Sequence, residues 1–255
     1  TVADSAAVLD VLAAVDRGAW NIAPPPSTPF VSEVKVDPGR LRIRVTSANA
    51  LGVEPAPACV DAVQRAAALL SDLGHDVVEA DPEWPDPGEF LIGFLTVWST
   101  IAAGIPNLDV ERIERHNRAN WDQAMATSAI AFSEAEMTLQ RQSRLMTQQF
   151  GRDFDVLVTP TMAVEPIPVG AIWNGIDDDP GAPVLNATPM AAYTAMFNVT
   201  GQPALSLPLH TSDAGLPVGV QFAAAPWDEV TLIRLGSQIE EAAPWVDRWP
   251  DLASS

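Results

Sequence analysis

The chain has 255 residues, with 33 acidic side chains against 14 basic ones, a net charge of −19 and 47% apolar content. That length supports one large domain with a real core, while the charge argues against nucleic acid and anionic membrane as partners, since both need basic faces. Cys59 is the only cysteine; with no internal disulfide possible and no basic start followed by an apolar stretch, a reducing, cytoplasmic setting is expected.

The predicted elements begin with a helix over Thr1–Val15, in which Val2, Ala6, Leu9 and Ala13 recur at helical spacing. Thr1 with Asp4 forms a capping-box pattern. An N-terminal threonine could also act as a nucleophile with its own amine as base, but the cap reading accounts for Asp4 and the run behind it. Pro24, Pro25, Pro26 and Pro29 make a stiff connector. Leu41, Ile43 and Val45 alternate with Arg42 and Arg44, which predicts a strand with one buried face. A helix over Pro57–Leu73 follows, with Gly74 placed for a left-handed C-cap, and then a strand over Asp76–Ala80. Strand, helix, strand at this length is a βαβ unit with parallel strands. It lacks a G-x-G-x-x-G turn, so no dinucleotide cofactor is expected.

Phe90–Leu108 carries no charge, a borderline length for a membrane span. Thr96, Ser99, Thr100, Pro106 and Asn107 interrupt it, and its large apolar residues fall on one face, so a mostly buried helix is expected. Asp109–Asn120 reads as a solvated helix or turn. A long helix over Ser133–Gly151, capped by Ser133 with Glu136, runs into a strand over Asp155–Thr159. A long loop with five prolines follows, as a lid or pocket wall. Further strands are expected at Ala204–Leu207 and Val218–Phe222, bounded by Pro and Gly, and a last helix at Glu229–Ala243. The tail from Trp245 to Trp249 should pack down, with Ser254 and Ser255 frayed beyond it. The whole reads as α/β: a mixed β-sheet of five strands flanked by helices, in a single domain over 1–255.

Three segments carry a resemblance. D-V-L-V-T-P-T at Asp155–Thr161, F-N-V-T-G-Q-P-A-L-S-L-P at Phe197–Pro208 and G-L-P-V-G-V-Q at Gly215–Gln221 resemble, in order and spacing, the C-terminal half of the amidase signature family. The opening helix is also similar to one that in the family follows an arginine, so the sequence is expected to begin inside a longer protein. The resemblance implies part of the amidase-signature fold and hydrolysis of amide bonds by a serine, a second serine in a cis peptide and a lysine. In the family those residues lie in the N-terminal half. Here there is no Gly/Ser-rich turn and no G-x-S-x-G. Ser237 sits inside an amphipathic helix, and Lys35, the only lysine, is flanked by Glu33 and Asp37. No catalytic residue is therefore assigned. His75, His116 and His210 lack metal-ligand spacing, and Asp177–Asp179 lacks the pattern of a calcium loop, so neither metal nor cofactor is expected.

What the resemblance implies for this sequence is pocket wall: Thr159, Pro160, Thr161, Met162, Phe197 and Asn198, with Trp98 and Trp173 as candidate aromatic walls. The competing reading puts Phe197 and Met162 in the core and gives Asn198 a turn-holding role. Family members that transfer ammonia from glutamine on transfer RNA carry an acid where this sequence has Ala191, which favours an apolar or aryl amide. The expected function is the C-terminal portion of an amide hydrolase acting on a small-molecule amide. The alternatives are a non-catalytic cleft-containing binding domain and an N-terminal-threonine hydrolase. The expected protein partner is the N-terminal half of the same enzyme, or a second copy, met through apolar surface near Val2, Leu9 and the Asp155 strand.

Overall fold

The computed structural model describes residues 1–19 and 21–249; the expectation for Ser254 and Ser255 falls outside them. Its chain-order elements are α1 (Val2–Leu12), β1 (Arg42–Val45), α2 (Pro57–Asp72), β2 (Asp76–Glu79), α3 (Pro87–Ser99), α4 (Arg115–Ala126), α5 (Ala129–Thr147), β3 (Val156–Pro160), α6 (Ala182–Ala191), α7 (Thr194–Thr200), β4 (Ala204–Thr211), β5 (Pro217–Ala223) and α8 (Glu229–Ala242). The five strands form one mixed sheet in the order β2-β1-β3-β5-β4. β1 runs parallel to β2 and β3, and β5 runs antiparallel to β3 and β4.

The sheet is covered on both faces. Ile43, Val45, Val156, Val158, Val220 and Phe222 pack with α1, α2 and α8. Leu157 and Ala223 point the other way and pack with α3, α5 and α7. Every residue of β3 is buried, which is why its sequence reads as an unbroken apolar run rather than an alternation. The entry to β3 is tied to β1 by Asp155, whose carboxylate accepts from the Arg42 backbone N–H at 2.8 Å and pairs with its guanidinium at 2.7 Å. Those hydrogen bonds hold the Asp155 carboxyl below its ordinary pKa.

The structure departs from the sequence expectations in four places. First, α5 starts earlier: Ser128 is its cap, with Oγ accepting from the Ala131 N–H at 3.1 Å, and Ser133 lies inside the helix. Second, the uncharged run does not make one buried helix to Leu108. α3 stops at Ser99, where the Thr96, Ser99 and Thr100 hydroxyls all bond back to helix carbonyls, a competition that weakens helical continuation. Only one face of α3 is covered, leaving Ile92 70% exposed. Among the described residues no helix is long and apolar enough to cross a membrane. Third, the proline-rich segment after β3 folds into a 3-10 turn at Ala171–Trp173 and then α6. Pro183 sits in the first turn of α6, where its missing N–H costs nothing. Fourth, Val2 is buried in the core and β3 is paired on both edges, so neither is available as a contact surface. The exposed part of α1 is instead Val8, Val11 and Leu12.

Candidate active-site wall

Parallel β1 and β3 deliver their C-terminal ends side by side, with the Thr46 N–H bonded to the Val158 carbonyl at 3.0 Å. In open α/β sheets such ends border the ligand crevice. The chain leaving β1 is fixed by Asn49, whose amide reaches the Val53 carbonyl at 2.7 Å and whose Oδ1 accepts from the Leu51 and Val53 N–H groups. Tyr193 braces the same segment by donating to the Ser47 carbonyl at 2.5 Å. Its burial pushes the phenol pKa up to about 12.

On the β3 side, the sheet face changes character along its length. Leu157 and Ala223 are apolar and opposite one another. One step on, Thr159 faces Gln221. The Gln221 side-chain amide donates to Thr159 Oγ1 at 3.1 Å, and that hydroxyl donates to the Pro160 carbonyl at 2.8 Å. One step further, the Thr161 N–H bonds the Gly219 carbonyl at 3.0 Å, and Thr161 Oγ1 lies 2.6 Å from Ser206 Oγ on β4. A Cβ on Gly219 would sit 2.8 Å from each of those two hydroxyl oxygens, so any larger residue would make the paired hydroxyls shift.

A second feature lies between α3, α5 and α7. This groove has a volume of about 1080 Å³ and is walled by Phe94, Val97, Trp98, Ile101, Leu139 and Asn198, among others. Trp98 is 39% exposed.

The six residues expected to bind substrate thus separate. Trp98 and Asn198 come together on the groove wall. Phe197 points from α7 into the core, 5% exposed, and Thr159 is buried within the sheet. Thr161 and Met162 are half-buried at the exit of β3. Trp173 lies against His116 instead, ring centroids 4.6 Å apart, next to the Arg115–Asp177 pair. The remaining candidates have structural roles. His75 accepts from the Leu41 N–H and contacts Gln238 at 2.9 Å. The buried Ser237 hydroxyl accepts from the Lys35 N–H. The amine and hydroxyl of Thr1 both bond Asp4, completing the capping box. No cluster of metal-ligating side chains occurs among the described residues. Sequence reading missed Ser206, Gly219 and Gln221. The available signal was a glycine inside the apolar run of β5, a position that weakens a strand unless something must approach closely.

Comparison with known proteins agrees with this architecture. The amidase family pattern matches residues 1–233. The chain is 32% identical over 99% of its length to the 6-aminohexanoate-cyclic-dimer hydrolase of Pseudomonas sp. strain NK87, of which it covers 54%. It superposes on the structure of a 6-aminohexanoate cyclic dimer hydrolase with a TM-score of 0.90 at 31% identity, covering 99% of this chain and 55% of that one. A bacterial aryl acylamidase of the amidase signature family, 22% identical with a TM-score of 0.75 over 96% of this chain and 52% of its own, shares the fold. The chain therefore spans about half the length of the relatives it matches. With its sheet, its three motif segments and this match in agreement, the chain belongs to the amidase family.

Proposed function

We propose that this chain is the C-terminal, pocket-forming portion of an amide hydrolase, and that the nucleophile comes from residues outside these 255. The observation that carries this reading is the family match over residues 1–233. It is supported by the chemistry present: a serine hydrolase needs an activated serine, a base within reach and donors for the developing oxyanion. The Ser237 hydroxyl instead accepts from the backbone N–H of Lys35, which fastens two segments together and leaves that serine without a bonded base among the described residues.

The groove beside Trp98 favours an apolar or aryl amide. Phe94, Trp98 and Ile101 give it an aromatic and aliphatic side, while Glu136, Gln140, Arg141, Arg144 and Asn198 line the rest with polar and charged groups, a mixture suited to small organic ligands with an apolar body and a polar end. Ala191, at the end of α6, stands where an acid would mark the ammonia-transferring branch. The relative named for a 6-aminohexanoate cyclic dimer makes cyclic and linear aliphatic amides the first substrates to try. Thr161 and Met162 would border a crevice at the exit of β3, apart from the Trp98 groove, and a cytoplasmic setting fits the single free cysteine.

The test is turnover of a panel of aryl and alkyl amides. The isolated 255 residues should hydrolyse none of them, while a natural chain that also contains the upstream segment should hydrolyse at least one. In that longer chain Trp98→Ala should raise KM by roughly tenfold, the loss of about 1.4 kcal/mol of apolar contact. Turnover by the isolated chain, abolished when its amine is blocked, would overturn the proposal and favour a threonine nucleophile.

A further inference from the structure

We infer that the Thr161–Ser206 hydroxyl pair above Gly219 is a hydrogen-bonding subsite for a neutral carbonyl oxygen of the amide substrate, an inference that rests on the amide-hydrolase reading. Thr161 ends the first motif segment, Ser206 lies in the second and Gly219 in the third. Segments up to 58 positions apart in sequence, 219 − 161, meet at one spot on the sheet because β3, β5 and β4 lie side by side.

The pair is built differently from the polar contact one step below it. Thr159 and Gln221 are buried, and their hydrogen bonds run within the protein. Ser206 is exposed and Thr161 half-buried, so solvent or a ligand reaches them. Their 2.6 Å contact uses one hydroxyl hydrogen, from either atom. The other hydroxyl hydrogen has no acceptor among the described residues and is free to donate outward. A hydroxyl that already accepts a hydrogen bond is a stronger donor. No charged side chain bonds to either oxygen, so the site matches a neutral acceptor better than an ion.

Gly219 is the second observation. A glycine weakens a strand interior and is found where a ligand or another backbone approaches closely. Here any Cβ would fall 2.8 Å from both hydroxyl oxygens and displace the pair. The strands are already joined by backbone ladders, β3 to β5 and β5 to β4, the latter with a bulge between Leu207 and His210. The position also suits a ligand, because Thr161 follows the C-terminal end of β3, the kind of strand end where α/β sheets bind their substrates, and the pair extends from there over β5 to β4.

The experiment uses the full natural chain containing these residues and reads kcat and KM for amides in the panel, the calorimetric Kd of benzamide, and Tm. Ser206→Ala and Thr161→Val should each raise KM and Kd about three- to tenfold, the range for one neutral hydrogen bond, with kcat within about twofold and Tm unchanged. Thr161→Ser, which keeps the hydroxyl, should restore wild-type values, and Gly219→Ala should reproduce the loss. Wild-type turnover with KM and Kd insensitive to both hydroxyl deletions would overturn the subsite. So would losses that only track a falling Tm and are not rescued by Thr161→Ser, or a wild type that binds no benzamide. A wild type that hydrolyses no amide yet binds benzamide through the pair would overturn the hydrolase reading and leave the subsite standing.

Discussion

Tyr193 shows how much one side chain contributes at the crevice. It is 1% exposed, and its hydroxyl is fixed on the Ser47 carbonyl. Burial disfavours the phenolate, which raises the pKa from 10.0 to about 12. The sign follows from linkage: the unfolded chain ionises first, so the contribution is complete below pH 10, falls as pH rises, and is gone above about 12. Tyr193→Phe removes both the hydrogen bond and the titration. It should cost about 1 kcal/mol at neutral pH, more if the Ser47 carbonyl stays dry, and should flatten the alkaline limb of the stability curve. Urea unfolding of both proteins across pH 8 to 12 decides it. Parallel curves would mean that another group governs the alkaline limb. Ser206 and Gly219 make the complementary point. Nothing local in their sequence marks them as partners, because strand register and not chain proximity brings them to Thr161.

At the level of elements, the helix ends are where sequence and structure part. α5 has two serines that could cap it, Ser128 and Ser133, and the capping-box spacing to Glu136 favours the wrong one. The structure uses Ser128, which is extended, with φ −72° and ψ 156°, while the helix that follows brings half-buried Phe132 onto the side of buried Ala135 and Leu139. Ser128→Ala should therefore destabilise the protein by about 1 kcal/mol, whereas Ser133→Ala should be near neutral, or slightly stabilising on helix propensity. Chemical denaturation of the two variants separates the assignments, and equal effects would show that the cap contributes nothing. The strands were legible for a simple reason. β1 alternates because one face of it meets the core through Ile43 and Val45, and β3 opens with the apolar run Val156–Val158 because both its faces are covered. α6 was hidden by its prolines. Pro183 lies in its first turn, and Pro189 lies inside it, where periodicity arguments predict a break. The groove was half legible: Trp98 and Asn198 are 100 positions apart, 198 − 98, and meet only because α3 and α7 both pack against α5.

For the whole molecule the question is what covers the surface around α1. Val11 and Leu12 are each 74% exposed, and Val8 is 57% exposed. Val8 and Leu12 border a groove of about 710 Å³ shared with Leu9, Leu205 and Leu232 and with the start of β4. Among the described residues β4 is the last strand of the sheet on that side, so there its outer edge has no strand partner. Apolar surface beside an open strand edge is a template for association. The net charge of −19 opposes contact between copies but not contact with a less acidic partner. The relatives are roughly twice as long as this chain, with 54% of one covered, and the occupant we propose is the complementary segment of the same amidase, with a second copy in its place when none is supplied. Sedimentation of the 255 residues alone should show concentration-dependent self-association that high salt strengthens, because screening removes the charge repulsion and leaves the apolar contact. Adding the upstream segment should replace it with a defined one-to-one complex. Leu12→Glu should weaken both, while Ile130→Glu, an equally exposed position on α5, should weaken neither. A chain that stays monomeric at all concentrations and ignores the upstream segment would show that this face is ordinary solvent-exposed surface and that the fold needs no second half.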